Sequence, residues 1–270
     1  MSKVVVLVVL VAVAVMMVFP LLWMLSTALK PSYQLMQFPP ELIPHPALWS
    51  NFKYLFAQYP MLRIFGNSFF LCAMNIIGSL ISCTLVAYGF AKYRAPGKNV
   101  LFAILLATMM IPWTVTLVPQ FAIFKALGLY NTFVPLFLKS FFGNAFLIFL
   151  LRQFMMGIPN EMEEAAKIDG ANFFQTLYFV ILPMLRPALA LVAVFTFFWT
   201  WNDFIGPLVY LSNPNLETVQ LAIKGMQTQH SSPWNYIMAF SFLSVVPCII
   251  VFFIAQRQLV DGIAVNGLKQ

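Results

Sequence analysis

Four of the eight acidic residues in this 270-residue chain fall within ten positions, Glu161 to Gly170, in the stretch EMEEAAKIDG. Carboxylates at that density, interleaved with the small Ala165 and Ala166, suit charge-assisted contacts to a basic partner. The alanines keep one helix surface low enough for another protein's groove to close on it. Catalytic company is missing. The chain has no GxxxxGK[ST] run to cradle phosphates and no HExxH. Its two histidines, His45 and His230, fall in expected external loops, and Cys72, Cys83 and Cys248 sit singly inside apolar runs without CxxC or framework spacing. We read no catalytic residue, no metal site and no cofactor bound by this chain.

The acidic stretch belongs to a longer segment, Gly157 to Pro187, with two helix starts and two stops. Asn160 with Glu163 has capping-box spacing, and the acids favour the positive end of the helix dipole. Gly170 supplies a permissive C-terminal cap. Asn172 with Gln175 repeats the capping pattern, and the apolar run that follows ends where Pro183 removes a backbone donor. The spacing predicts a compact helix, turn, helix. An amphipathic helix lying on the membrane surface is the plainer reading. It fits the charge poorly, because interfacial helices carry Lys and Arg on their polar face and acids meet repulsion from anionic headgroups.

Everything around this segment is apolar. With 61% hydrophobic and 9% charged residues and a mean hydropathy of +0.87, against about 25% charged in soluble domains, the chain reads as an all-α integral membrane protein. A helix needs roughly 20 apolar residues to cross the hydrocarbon core. Six such runs occur, near 4–25, 67–90, 100–118, 133–151, 189–208 and 237–255. The fourth is interrupted by Pro135, Lys139, Gly143 and Asn144. In the third, Pro112 and Pro119 predict a kink or break. The first reads as a retained anchor rather than a signal peptide. We expect one transmembrane domain over residues 1–270, with the loop near 157–187 projecting from it.

Cations set the orientation, because cytoplasmic loops retain Lys and Arg. With both termini on one side, that side holds nine of the fifteen, including three in KYRAPGK; the other holds five, and Lys139 lies within the fourth run. Both termini and the acidic loop are therefore expected in the cytoplasm. The net charge of +7 follows membrane topology rather than a nucleic-acid surface, since the cations are scattered at span ends.

Polar residues inside spans are costly and so draw attention as functional candidates: Asn75, Lys139, Asn144, Thr200, Asn202, Asp203, Ser241 and Ser244. Asn75, Ser241 and Ser244 suit hydrogen bonds between helices. FWTWNDF, Phe198 to Phe204, joins indoles and an amide in a way that suits a sugar face, though an interfacial aromatic belt has the same composition. We take Gln120, Asn144, Trp201 and Asn202 as substrate-pathway candidates. The external loop from Ser212 to Trp234 is long and polar enough to touch a docked protein.

Glu164-Ala165-Ala166, three residues, Gly170, nine residues, then Val180-x-Leu182-Pro183 resembles the EAA loop of ABC importer permeases, with Val180 where the family pattern has Ile. FLIFLLRQFMMGIPNEMEEAAKIDGA, TWNDFIGPLVYL and the tail QRQLVDGIAVNGLKQ are similar to segments of the carbohydrate-uptake, maltose-type branch; Asn266 and Leu268 depart from its small-residue tail. The resemblance implies a permease subunit that forms, with a second permease, the pathway for a sugar or oligosaccharide. An extracytoplasmic binding protein would deliver the substrate, and two ATPase subunits holding ATP and magnesium would drive it. It further implies that Glu163, Glu164, Ala165, Ala166, Asp169, Gly170, Leu182 and Pro183 couple to the ATPase, in a bacterial or archaeal plasma membrane. A secondary transporter or channel acting alone should carry ionisable residues in several spans and often an inverted repeat; neither is evident. A noncatalytic scaffold needs no docking loop at this spacing.

The charge asymmetry predicts that a cysteine placed at Gly97 or Gly170 is labelled only from the cytoplasm, and one at Pro46 or Asn215 only from outside. Labelling at position 170 from outside in intact cells contradicts this topology.

Overall fold

The computed structural model describes residues 3–227 and 233–267, with side chains through Gln258, and all regular structure among them is helical. In chain order the helices are α1 (Lys3–Leu29), α2 (Ser50–Gln58), α3 (Met61–Lys92), α4 (Lys98–Ala107), α5 (Trp113–Ala126), α6 (Val134–Phe137), α7 (Ala145–Met156), α8 (Glu161–Ile168), α9 (Phe173–Gln175), α10 (Leu182–Met184), α11 (Arg186–Trp201), α12 (Ile205–Tyr210), α13 (Val219–Gly225) and α14 (Trp234–Gly267).

Four stretches are long and apolar enough to cross a membrane: Lys3–Leu29, Met61–Lys92, Val134–Met156 and Trp234–Gln258. Two further pairs qualify only together, Lys98–Met110 with Trp113–Ala126, bent by 96°, and Phe173–Met184 with Arg186–Trp201, bent by 81°. Six spans result if each bent pair counts as one. The expected third span is broken rather than merely kinked. Ile111 is extended, with ψ 116°, because the residue before a proline is pushed out of the helical region. Pro119, by contrast, lies inside α5. The expected fifth span is α11 followed by α12, interrupted at Asp203 and Phe204.

The fourth span, Val134–Met156, is discontinuous at the residues that interrupt its apolar run. After α6 a 3-10 turn, Leu138–Phe142, leads to Gly143 at φ +92°, a conformation glycine adopts without steric penalty. Asn144 then caps α7 through its side chain, which accepts the Leu147 N–H at 3.2 Å. A break at membrane depth frees backbone groups that lipid cannot satisfy. Helix α3 meets them. Asn75 Nδ2 donates to Leu136 O (3.3 Å) and Ser82 Oγ to Ser140 O (2.7 Å), Ser140 Oγ donates to Asn75 Oδ1, and the Asn144 N–H points at Cys83 Sγ (3.3 Å). Asn75 thus performs the interhelical bonding its position suggested. Close approach is part of the same contact: a Cβ at Gly78 would lie 2.7 Å from the Phe141 ring.

Two compact units divide the chain, one of Met1–Phe65 with Val219–Ile250 and one of Gly66–Thr218 with Val251–Gln270. In the second, the core joins Cys83, Ala87 and Tyr88 of α3 to Leu147, Leu151 and Met155 of α7 and to Ile181, Leu185, Ala188 and Val192. The last four lie on both sides of the 81° bend and lock the loop's second helix to the bundle. In the first unit, the buried Lys30 ammonium lies 4.8 Å from the Trp23 ring and donates to Glu41 O, while Asn51 Nδ2 donates to Ala28 O (2.8 Å) and Lys30 O (3.2 Å). Residues 3–20 of α1 are exposed throughout.

Filling the contact between α3 and the 3-10 turn should be costly. Gly78→Val is expected to lose about 1–3 kcal/mol of thermal stability in detergent, whereas Gly89→Ala, where a Cβ meets nothing within 4 Å, stays near the parent. Equal melting temperatures for the two variants would contradict the packing.

Candidate functional site

The acidic loop is a fixed object rather than a floating helix. The side chain of Lys92, the last residue of α3, is buried; its Nζ lies 2.7 Å from Ile158 O, 3.1 Å from Asn160 Oδ1 and 3.3 Å from Glu163 Oε1. The two side chains of the Lys92–Glu163 ion pair are only 3% and 7% exposed. This corrects the expected capping box. Asn160 gives no side-chain cap, because its amide oxygen is taken by Lys92, and Glu163 turns inward instead of back along the backbone. Ala166 also faces in, at 8% exposure.

Glu164, Ala165, Asp169 and Gly170 face outward, as do Glu161, Met162 and Lys167. Ile168 joins them at 86% exposure, a residue missed from the sequence. Its signal was present: positions 164, 165, 168 and 169 share one face of a helix, and a large apolar side chain there stands out among acids. Gly170 ends the helix at φ +82°, with the N–H of Gly170 on Lys167 O and that of Ala171 on Ala166 O. The second helix starts as expected: Gln175 N–H donates to Asn172 Oδ1 (3.0 Å) and Asn172 N–H to Gln175 Oε1 (2.8 Å), a complete capping box. A π-helical segment, Thr176–Ile181, follows. Leu182 is half-buried beside the core, and Pro183 is exposed in α10.

The polar span residues meet around a cavity of about 320 Å³ lined by Asn75, Ser79, Lys139, Asn144, Thr200 and Asp203 among others. A wider space of about 950 Å³ shares Lys139, Asn144, Trp199 and Asp203 with it and adds Trp113 and Asn202. Lys139 Nζ donates to Gln120 Oε1 at 3.2 Å, which places Gln120 behind the cavity's cation. Asp203 Oδ1 accepts the Gly206 N–H at 3.0 Å, and Asn202 Nδ2 donates to Phe198 O at 2.8 Å. Of the pathway candidates, Asn144 and Asn202 line this space and Gln120 touches its cation. Trp201 does not line it. It is 2% exposed, with its ring 4.9 Å from Phe69 and 5.5 Å from Phe197. The indoles on the wall are Trp199, stacked on Phe195 at 5.8 Å, and Trp113. Aromatic face, amides, one cation and one carboxylate together suit a hydroxyl-rich molecule held loosely by many hydrogen bonds. Ser241 and Ser244 lie elsewhere, with Ser244 Oγ on Ser241 O at 2.7 Å.

The loop after α12 is ordered within its own unit: Asn131 Oδ1 accepts the N–H groups of Ser212 and Asn213 (3.0 and 2.9 Å), and Asn67 Nδ2 donates to Asn215 O and Glu217 O, both 2.9 Å. His230 lies outside the described residues.

Over 95% of its length the chain is 30% identical to the arabinooligosaccharides transport system permease protein AraQ of Halalkalibacterium halodurans, covering 93% of that protein. It is 28% identical to the lactose transport system permease protein LacG of Rhizobium radiobacter, over 92% of this chain and 90% of that one. With the sn-glycerol-3-phosphate transport system permease protein UgpE of Yersinia pestis the identity is 30%, over 92% and 91%. A chain from the crystal structure of a bacterial ABC transporter that imports the acidic polysaccharide alginate superposes with a TM-score of 0.83 at 25% identity, covering 94% of this chain and 95% of that chain. Residues 75–265 match the model of a family of transport subunits rather than enzymes, and the chain belongs to that family, the binding-protein-dependent transport system inner membrane component.

Proposed function

We propose that this chain is one of two permease subunits of an ATP-binding-cassette importer for a sugar or oligosaccharide. A second homologous permease completes the pathway, an extracytoplasmic binding protein delivers the substrate, and two ATPase subunits, holding ATP and magnesium, supply the energy. The similarity to permeases for arabinooligosaccharides, lactose and glycerol phosphate supports the substrate class. The cation asymmetry supports a plasma-membrane orientation with both termini and the acidic loop in the cytoplasm.

The observation that carries this reading is the outward face of α8. Glu164, Ala165, Ile168 and Asp169 stand exposed on a helix whose opposite side is pinned by a buried ion pair. An apolar anchor ringed by carboxylates fits a partner groove with an apolar floor and basic rim. Glu164, Ala165, Asp169 and Gly170 are the ATPase contacts; Glu163, Ala166, Leu182 and Pro183 serve coupling by shaping the loop. Asn144, Asn202 and Trp199, with Gln120 behind Lys139, form part of the pathway wall. Substrate crosses between the two permeases, and a volume of about 320–950 Å³ on this side is of the size that small-molecule sites use.

Glu164→Ala is expected to weaken ATPase association by about 2–5 kcal/mol, the cost of truncating one partner of an interfacial charge pair. Gly170→Val, which forces a β-branched residue to φ +82°, should retain partial assembly yet lose substrate-stimulated hydrolysis and uptake. Pulldown of the ATPase and transport in reconstituted vesicles measure both. Wild-type uptake by either variant would mean that the loop serves something other than coupling, and transport by the purified chain without ATP would favour a secondary transporter.

A further inference from the structure

The Lys92–Glu163 pair has a place in the fold that docking alone does not require. Lys92 ends α3, and the same helix lines the inner cavity through Leu71, Asn75 and Ser79, spaced by four residues and so on one face. One unbroken helix of 32 residues, about 48 Å at 1.5 Å per residue, therefore has its C-terminal end in the root of α8 and its polar stripe in the cavity wall.

We propose that Lys92 and Glu163 are positioning residues for transport: their buried ion pair makes α8 and α3 move as one body, so that displacement of the docking helix is delivered to the cavity. The inference rests on the ATPase-driven reading above. Three contacts converge on one ammonium, to Ile158 O, Asn160 Oδ1 and Glu163 Oε1, and they fix both the chain entering α8 and its first turn. Two charges this deeply buried are costly to separate, since removing either leaves the other desolvated without a partner. A hydrophobic contact between the same helices would resist separation but permit sliding and rotation. The two hydrogen bonds of the ammonium, to Ile158 O and Asn160 Oδ1, fix its direction as well, and the Glu163 carboxylate is held to it by charge at 3.3 Å. Tyr88, one turn before Lys92 and fully buried, packs beside the pair against Phe173, whose ring lies 5.1 Å away.

The test uses the complete importer, with the second permease, the ATPase and the binding protein, reconstituted in vesicles. Lys92→Met, Glu163→Gln and the Lys92→Met/Glu163→Gln double variant are compared for copurified ATPase and for substrate imported per ATP hydrolysed. The expected result is that each single variant assembles but imports about tenfold less per ATP, and that the double variant is no worse than the poorer single one, because the two residues act as a unit. An unchanged transport ratio in assembled complexes, with only a lower yield, would reduce the pair to a structural anchor and overturn the proposal. So would losses that simply add in the double variant, or failure of both Lys92→Met and Glu163→Gln to assemble. If the wild-type chain neither captures an ATPase nor transports with ATP, the functional reading itself has failed, and the wild-type control shows this separately.

Discussion

Backbone that breaks inside a hydrocarbon layer must find its hydrogen bonds within the protein, and this constraint organises the second unit of the chain. The fourth span opens at Gly143, and the carbonyls and N–H groups released there are met by Asn75, Ser82 and Cys83 of α3. Because hydrophobic burial gives no net drive between helices in lipid, close packing and such polar contacts hold a bundle together. Helix α3 is therefore the element on which the others depend. Without its polar stripe the break could not exist, and without the break there would be no polar wall for Lys139, Asn144 and Asp203 to share.

Charge is placed with the same economy. Most ionisable residues lie at span ends, where water or headgroups solvate them. Among the described residues the exceptions include Lys139 and Asp203 in the cavity, the pair of Lys92 with Glu163 at the root of the loop, and Lys30, buried beside Trp23. The first two face an open, partly polar space that can accept a hydroxyl-rich guest. The second two face each other and exclude water. A permease needs both arrangements, a wall that is permissive toward what passes and a joint that is not.

The sequence made some of this legible and hid the rest for identifiable reasons. Apolar run length located Met61–Lys92 and Trp234–Gln258, because the bilayer imposes a length that soluble folds lack. Gly143 and Asn144 marked the break because glycine and an amide in an apolar run have few other uses. The capping box at Asn172 and Gln175 formed because its partners are local. Asn160 and Glu163 had the same spacing and did not form one, since Lys92, distant in sequence, competes for both side chains; no local rule contains that residue. Trp199 and Trp201 could not be told apart by type. They stand two residues, and so about 200°, apart on a helix, and only the packing of Phe69 and Phe197 against Trp201 decides which indole faces the cavity. Of the kink or break that the prolines predicted, the break formed at Pro112, with a 96° turn, because Ile111 left the helical region altogether.

The central claim is that events at the acidic loop change the state of the cavity. It is tested most directly by Thr200→Cys, a nearly isosteric probe on the cavity wall, in the reconstituted importer with an impermeant thiol reagent applied from one side at a time. The account predicts that the side from which position 200 is labelled switches between the nucleotide-free and the ATP-bound complex. Labelling from the same side, at the same rate, in both states would contradict it.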